Sequence, residues 1–477
     1  KREKMKQTMK KSIALLLCCL ATPFPAQAAS PVHMANGIKI GEVTSTTAII
    51  WTRLTKNAER NVAGKPFPNN INKERKSASF DDLSLMEGAV PGVDGELRVT
   101  YWPVEHESQS KSADWQAVDS SSDFIHQFAI RDLIPGARYA LKVEGRTQGG
   151  TGASCQVEGG FGTAPSAAEP TRVRFAVVTG QDYPRRDTPQ GHQIYPIMQE
   201  QKLDFFVHTG DIEYYDKPGP YADTVELARF KWNRIYALPY QRDFHKVTAS
   251  YFMKDDHDTL RNDCWPGQTY GDLTWKQGLS LFREQVPMGD RTYRTIRWGQ
   301  DLQIWLVEGR DYRSPNNRPD GSEKTIWGKK QKQWFFNTVE KSDATFRILI
   351  SPTPIVGPDR GNKKDNHANK GFTHEGDELR AFIGKQKNMF VVCGDRHWQY
   401  VSEDPNTGAR EYSCGPTSNA HAGGFRESNR SPVHRYLKVK GGFLSVVIER
   451  IQGRVRAVMT HCGVDGTVYN EDVIDAN

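Results

Sequence analysis

The order of apolar and polar positions divides the chain in two. Between residues 37 and 165 the pattern is one of short strands separated by turn-rich stretches, with strands expected at 48–54, 96–102, 124–130 and 137–143 and a last one ending near 161–165. Residues 57–92 interrupt them as a polar, Lys- and Asn-rich insertion without clear periodicity. From residue 172 strands alternate with helices. Apolar runs at 173–178, 205–208, 247–252, 302–307, 347–351 and 389–392 suit buried strands, and helical spacing appears at 191–201, 221–236 and 329–339. Strands at 443–449 and 455–460 are expected to close the chain. The second part therefore reads as a layered α/β or α+β domain of the kind that carries enzymes.

The first 28 residues stand outside this pattern. Lys4, Lys6, Lys10 and Lys11 precede a short apolar core at 13–20, and Ala26-Gln27-Ala28 is a small-x-small cleavage site. This is the arrangement of a secretory signal peptide, too short in its apolar part to span a bilayer. The expectation is a secreted or periplasmic protein with no transmembrane anchor after cleavage.

Composition changes the picture only once the leader is set aside. The formal charge of +7 falls close to neutral, because residues 1–28 carry six Lys/Arg and one Glu, leaving 58 basic and 56 acidic residues. No concentrated basic face for nucleic acid is implied. Five cysteines remain, odd in number and widely spaced, with no Cys-x-x-Cys pair to suggest a zinc site.

The chemistry is concentrated at the strand ends. The run 205–208 breaks at Gly210 and is followed by Asp211 and, three residues on, Tyr214. In open α/β sheets such positions face a shared crevice. A carboxylate and a phenol are hard oxygen donors, suited to Fe(III), Ca or Mn. Comparable clusters follow other strands: Gly180-Gln181-Asp182, Asp255-Asp256-His257-Asp258 and Gly394-Asp395-Arg396-His397. Singly each is an ordinary turn, since Asp and Gly are turn residues. Together they gather carboxylates and imidazoles into one pocket, which is costly unless a cation compensates them.

These motifs resemble those of the alkaline phosphatase D (PhoD-like) branch of the metallophosphatase superfamily. Gly210-Asp211-Ile212-Glu213-Tyr214, Asp255-Asp256-His257-Asp258 with Asn262, Arg310-Asp311-Tyr312-Arg313, the helix start from Gly328 to Trp334, and Gly394-Asp395-Arg396-His397 all match. The stretch from Leu133 through Pro135, Gly136 and Tyr139 likewise resembles the tyrosine corner of fibronectin type III sandwiches. The resemblance implies a fibronectin III-like β-sandwich over 33–165 and a four-layer αββα catalytic domain over 171–477.

It also implies roles. Asp211 would bridge two metals, with Tyr214, Asp256, Asn262, Asp395 and His397 as further ligands. His257 would act on the scissile group and Arg310 on the anionic oxygens of the substrate. The cofactors implied are Fe and Ca foremost, with Mn or Zn as others, polarising the ester and activating a water for attack. Two positions depart from the family pattern. Gly180 stands where a Cys ligand is usual, and no histidine occurs between His257 and His367. Gln181, Asp182, His367 and His421 are the residues that replace them as ligands or touch substrate. The function expected is hydrolysis of phosphate mono- or diesters, small or polymeric. The alternatives are sulfate-ester hydrolysis on the same scaffold, or a degenerate protein that binds a glycan or phospholipid.

Overall fold

Strand Val173–Val178 is buried along its length. Val173, Phe175 and Val177 face one apolar core, while Ala176 and Val178 face another formed with helices. This two-sided burial explains the unbroken apolar run, and it follows from the alternation of side chains along a strand. The computed structural model of the protein describes residues 31–67 and 82–477. The expected leader lies outside the described residues, as does the middle of the 57–92 insertion. Pro31–Asn477 forms one compact unit.

Two mixed sheets lie face to face. The first runs Val468–Asp475, Arg454–Gly463, Gly442–Ile451, Val173–Val178, Phe205–His208, Ala249–Phe252, Ile38–Gly41, Ala48–Arg53, Ile125–Ile130. The second runs Arg294–Trp298, Leu302–Leu306, Phe346–Ser351, Met389–Cys393, Arg410–Cys414, Gln399–Glu403, His434–Lys438. Phe205, Val207 and Leu444 of the first meet Ile304, Ile348 and Val392 of the second in one core. Helices Ile194–Glu200 and Pro239–His245 cover the outer face of the first sheet. Gly328–Glu340 and Thr373–Gly384 cover that of the second. The layering is helix, sheet, sheet, helix.

The N-terminal strands divide differently from the sequence pattern. Gly95–Pro103, Lys111–Ser112, Gln116–Val118, Arg138–Arg146 and Cys155–Gly162 make a separate five-stranded sheet. It shares a core with Ile38–Gly41, Ala48–Arg53 and Ile125–Ile130, through Leu97, Val99, Leu141 and Val143 against Ile40, Ile50 and Phe128. Tyr139 accepts the Ile134 amide at 2.9 Å and so closes the corner. The latter three strands also prolong the large sheet, because Gly41 pairs in parallel with Ser250. Only glycine allows that junction, since a Cβ at residue 41 would lie 2.8 Å from the Ser250 carbonyl oxygen.

Several elements carry no strong pattern in the sequence. Helix Trp275–Gln285 buries only four residues, and it is set by a capping box between Thr274 and Gln277. The chain closes not at 455–460 but with Val468–Asp475, a largely polar edge strand held by pairing to its neighbour.

Three parallel strands of the first sheet, Val173–Val178, Phe205–His208 and Ala249–Phe252, end side by side. Met389–Cys393 of the second sheet ends at the same place, and Gly394 lets the sheets touch. A Cβ there would lie 2.3 Å from Thr209 Oγ1 and 2.8 Å from Thr179 Oγ1. The next residue, Asp395, donates its amide to Thr179 Oγ1 at 3.1 Å.

Candidate metal centre

Asp211 stands at the convergence of these strand ends, buried and in the left-handed region at φ 56°. The preceding Gly210 has no room for a side chain, since its Cβ would lie 2.7 Å from the Asp255 amide. The turn is held by Asp258. Its two oxygens accept the amides of Asp211 (2.7 Å), Ile212 (2.7 Å), Glu213 (2.9 Å) and Asp255 (3.0 Å). Asp258 thus ties the first two acidic motifs together, a role the sequence motif did not reveal.

Two overlapping acidic groups lie around Asp211. Asp211, Asp255 and Asp395 each bring an oxygen within 4.8 Å of one another, and so do Asp211 and Asp256 with a nitrogen of His257. Asp211 Oδ1 and Asp255 Oδ2 are buried without a hydrogen-bond partner, while Asp395 Oδ2 is in contact with the Arg396 guanidinium. Leaving a buried acceptor unpaired costs about 1–3 kcal/mol, more for a charged one. Two such oxygens beside a third carboxylate therefore fit a cation. Burial and the charges of Asp256 and Asp211 push the Asp255 carboxyl up to about 8, even against Arg310. That is the signature of crowded carboxylates.

A second, nitrogen-rich arrangement adjoins the first. Tyr214 Oη lies 3.1 Å from Asp211 Oδ2, 3.1 Å from His397 Nε2 and 3.1 Å from His421 Nε2. His421 Nδ1 lies 3.2 Å from the Gly180 carbonyl oxygen. Burial, aided by the charge of Asp211, raises the Tyr214 phenol well above its ordinary pKa. Burial likewise lowers His397, against the pull of Asp211. Burial also lowers His421, so both imidazoles are held neutral, the form that binds metal.

His257 Nδ1 pairs with Asp216 Oδ1 at 2.6 Å, which fixes the ring. Burial opposes a charge on His257, but Asp256, Asp216 and Asp211 outweigh it and carry the imidazolium up to about 10.

The remaining expected site residues are placed as follows. Asp256 Oδ1 accepts the His257 amide at 3.0 Å and Oδ2 the Asp263 amide at 2.6 Å, so Asp255 rather than Asp256 presents an unpartnered oxygen. Asn262 is exposed and meets the site through its backbone amide, which donates to Asp216 at 2.8 Å. Arg310, expected at the substrate, is fully buried, and its Nε donates to Asp255 at 2.6 Å. It is an internal counter-charge, because a buried carboxylate is retained only with a partner. Gln181 accepts the Tyr195 hydroxyl, and Asp182 pairs with Arg185 at 3.3 Å. His367 is buried against Glu375, 3.0 Å away, under the helix layer of the second sheet. The structure thus joins Asp211, Tyr214, Asp256, His257, Asp395, His397 and His421, and adds Asp255. The sequence signal for Asp255 was its place directly after the strand, shared with Asp256.

Comparison with known proteins agrees with this geometry. The family model described as PhoD-like phosphatase matches residues 175–441, more than half of the chain. Alkaline phosphatase D of Bacillus subtilis (strain 168) is 22% identical over 292 residues, covering 50% of this chain and 48% of the relative. The chain therefore spans about half the length of that curated relative. Among solved structures, PhoD superposes with a TM-score of 0.69 at 16% identity, over 95% of this chain and 90% of the other. A purple acid phosphatase from yellow lupin (Lupinus luteus) seeds gives a TM-score of 0.60 at 13% identity, over 92% and 74%. At these identities the two structures speak for the fold.

Proposed function

The chain belongs to the PhoD-like phosphatase family, and from that premise we propose that it is an exported, metal-dependent hydrolase of phosphate esters. The observation that carries the reading is the pair of unpartnered oxygens on Asp211 and Asp255, grouped with the Asp395 carboxylate, beside the neutral nitrogens of His397 and His421. These residues would hold a metal ion, which when bound would supply polarisation of the ester and a lowered pKa for a water beside it. Asp211, which belongs to both acidic groups, is the residue two ions would share. Tyr214 and His397 belong to the nitrogen-rich side. Asp255, Asp256 and Asp395 belong to the carboxylate side, whose hard donors suit Ca or Mn, while a phenolate with imidazoles suits Fe or Zn.

The residues around the metals divide the remaining work. Asp216 holds the Nδ1 proton of His257, so Nε2 is the atom left to meet the ester and donate to its leaving oxygen. Lys217, whose Nζ lies 4.3 Å from the centre of the Tyr214 ring, supplies positive charge for the phosphoryl oxygens in place of the buried Arg310. The strands of residues 33–165 support a fibronectin III-like sandwich, given the shared core and the Tyr139 corner. The leader pattern supports export to the periplasm or medium. No helix among the described residues is long and apolar enough to cross a membrane.

A panel of p-nitrophenyl phosphate, bis-p-nitrophenyl phosphate and p-nitrophenyl sulfate, run on metal-loaded protein, tests the reading. Turnover of either phosphate above that of the sulfate is the expected result. Preference for the sulfate would place the chain with sulfatases, and inactivity on all three with bound metal confirmed would point to a binding protein.

A further inference from the structure

We propose that His421 is a metal ligand, occupying the place that Gly180 leaves open at the end of strand Val173–Val178. The proposal rests on the metal-centre reading above and says which side chain completes it.

The first observation is a count of protons. Tyr214 Oη has one hydrogen and three polar neighbours at 3.1 Å: Asp211 Oδ2, His397 Nε2 and His421 Nε2. Asp211 only accepts when ionised. His421 Nδ1 faces the Gly180 carbonyl oxygen at 3.2 Å, which also only accepts, so Nδ1 carries the ring proton. Its Nε2 is therefore an acceptor as well. One hydroxyl hydrogen reaches only one of these two acceptors, so the other is left to a hydrogen on His397 Nε2, 3.5 Å from Asp211 Oδ2, or to a cation, which serves all of these lone pairs at once. Fixing a ligating histidine by a carbonyl on its far nitrogen is the usual outer-shell arrangement of metal sites.

The second observation is steric. Gly180 lies at φ +56°, and a Cβ there would stand 3.0 Å from His397 Nε2 and 3.4 Å from His421 Cε1. A side chain at residue 180 would project into the space the two imidazoles now share, their ring centres 4.1 Å apart. His421 reaches that space from a different segment. The segment is pinned to Gly180, whose carbonyl oxygen also accepts the Thr417 amide and hydroxyl, each at 3.1 Å. Thr179 bridges to Pro416 beside it. An ordinary buried histidine needs neither the bare glycine nor the triple use of one carbonyl. The resulting donor set is two imidazoles, a phenol and a carboxylate, with no thiolate.

The test loads the full-length, metal-free protein with one equivalent of copper(II) and counts coordinated imidazoles by pulsed EPR. Two are expected in the wild type and one in His421→Ala. Zinc titration should show His421→Ala binding about 10–100-fold more weakly, as losses around metal sites run. Free imidazole should restore much of that loss by filling the vacated space. Gly180→Ala, which crowds both rings, should weaken binding without removing a ligand. A wild-type spectrum with a single imidazole, or unchanged zinc affinity in folded His421→Ala, overturns the proposal. Because the first readout uses wild-type protein, a single-imidazole spectrum overturns the proposal even if the variant does not fold. Wild-type protein that takes up no stoichiometric metal would instead overturn the metal-centre reading itself.

Discussion

Asp258 Oδ2 accepts the backbone amide of Asp211 at 2.7 Å, and through it the loop after one strand is fastened to the loop after the next. Each oxygen of Asp258 takes two amides. In Asp258→Asn, whichever way the amide sits, two backbone N–H groups face an NH2 donor. At about 1–3 kcal/mol for each unsatisfied donor, unfolding free energy should fall by about 2 kcal/mol or more. Metal content should fall with it, since Asp211 loses its position. Urea midpoints and metal analysis check this, and wild-type values for both would contradict it.

Removing metal should destabilise the protein. Asp211, Asp255, Asp256 and Asp395 are crowded, and a ligand that binds only the native state adds stability by mass action, about 2.7 kcal/mol at a hundred times its Kd. Strong chelator should lower the melting temperature, and added metal should restore it. An unchanged melting curve after verified metal loss would refute the cluster as a cation site.

His257 and Asp216 should act on chemistry and leave metal binding intact. His257→Ala is expected to lose about 10²–10⁴-fold in kcat, the usual contribution of a general acid. The loss should be smaller for p-nitrophenolate, which leaves without a proton, than for an alkyl leaving group. Asp216→Asn should show the same leaving-group pattern more weakly, because it only releases the ring held at 2.6 Å. Loss of metal in either variant would count against this division of roles.

The Glu375–His367 pair should give the fold an acid-sensitive component away from the metals. Burial raises the Glu375 carboxyl, but His367, the Thr325 hydroxyl and the Ile326 amide outweigh it and bring it from 4.5 to about 2. A depressed carboxyl stabilises the fold above its unfolded pKa, and that contribution fades as pH falls from about 4.5 towards about 2. At about 1.4 kcal/mol per pKa unit this depression corresponds to an upper bound of about 3.5 kcal/mol. The stability gap between wild type and Glu375→Gln should narrow over that range of pH in urea titrations. A gap independent of pH would show that the pair contributes no ionic stabilisation.

What the sequence alone determined is what depends on near neighbours along the chain. An unbroken apolar run that stops at Gly210 places Asp211 at a strand end. The same holds for the run that stops at Gly394 before Asp395, and i to i+3 spacing carries Tyr214 back to the Asp211 carboxylate. The tertiary structure alone decided the relations that need distant segments. Asp255 and Asp256 are adjacent, and only Arg310, the Asp263 amide and the packing of Gly210 settle which oxygen is left unpaired. Arg310 resembled a substrate-binding residue by motif but was drawn inward by a buried carboxylate. His421 and His367 looked alike in sequence, yet one lies beside Tyr214 and the other against Glu375. The physical reason is that backbone pattern sets where a strand ends. The direction and charge of a buried side chain are set by whichever partner the fold brings within about 3 Å of it.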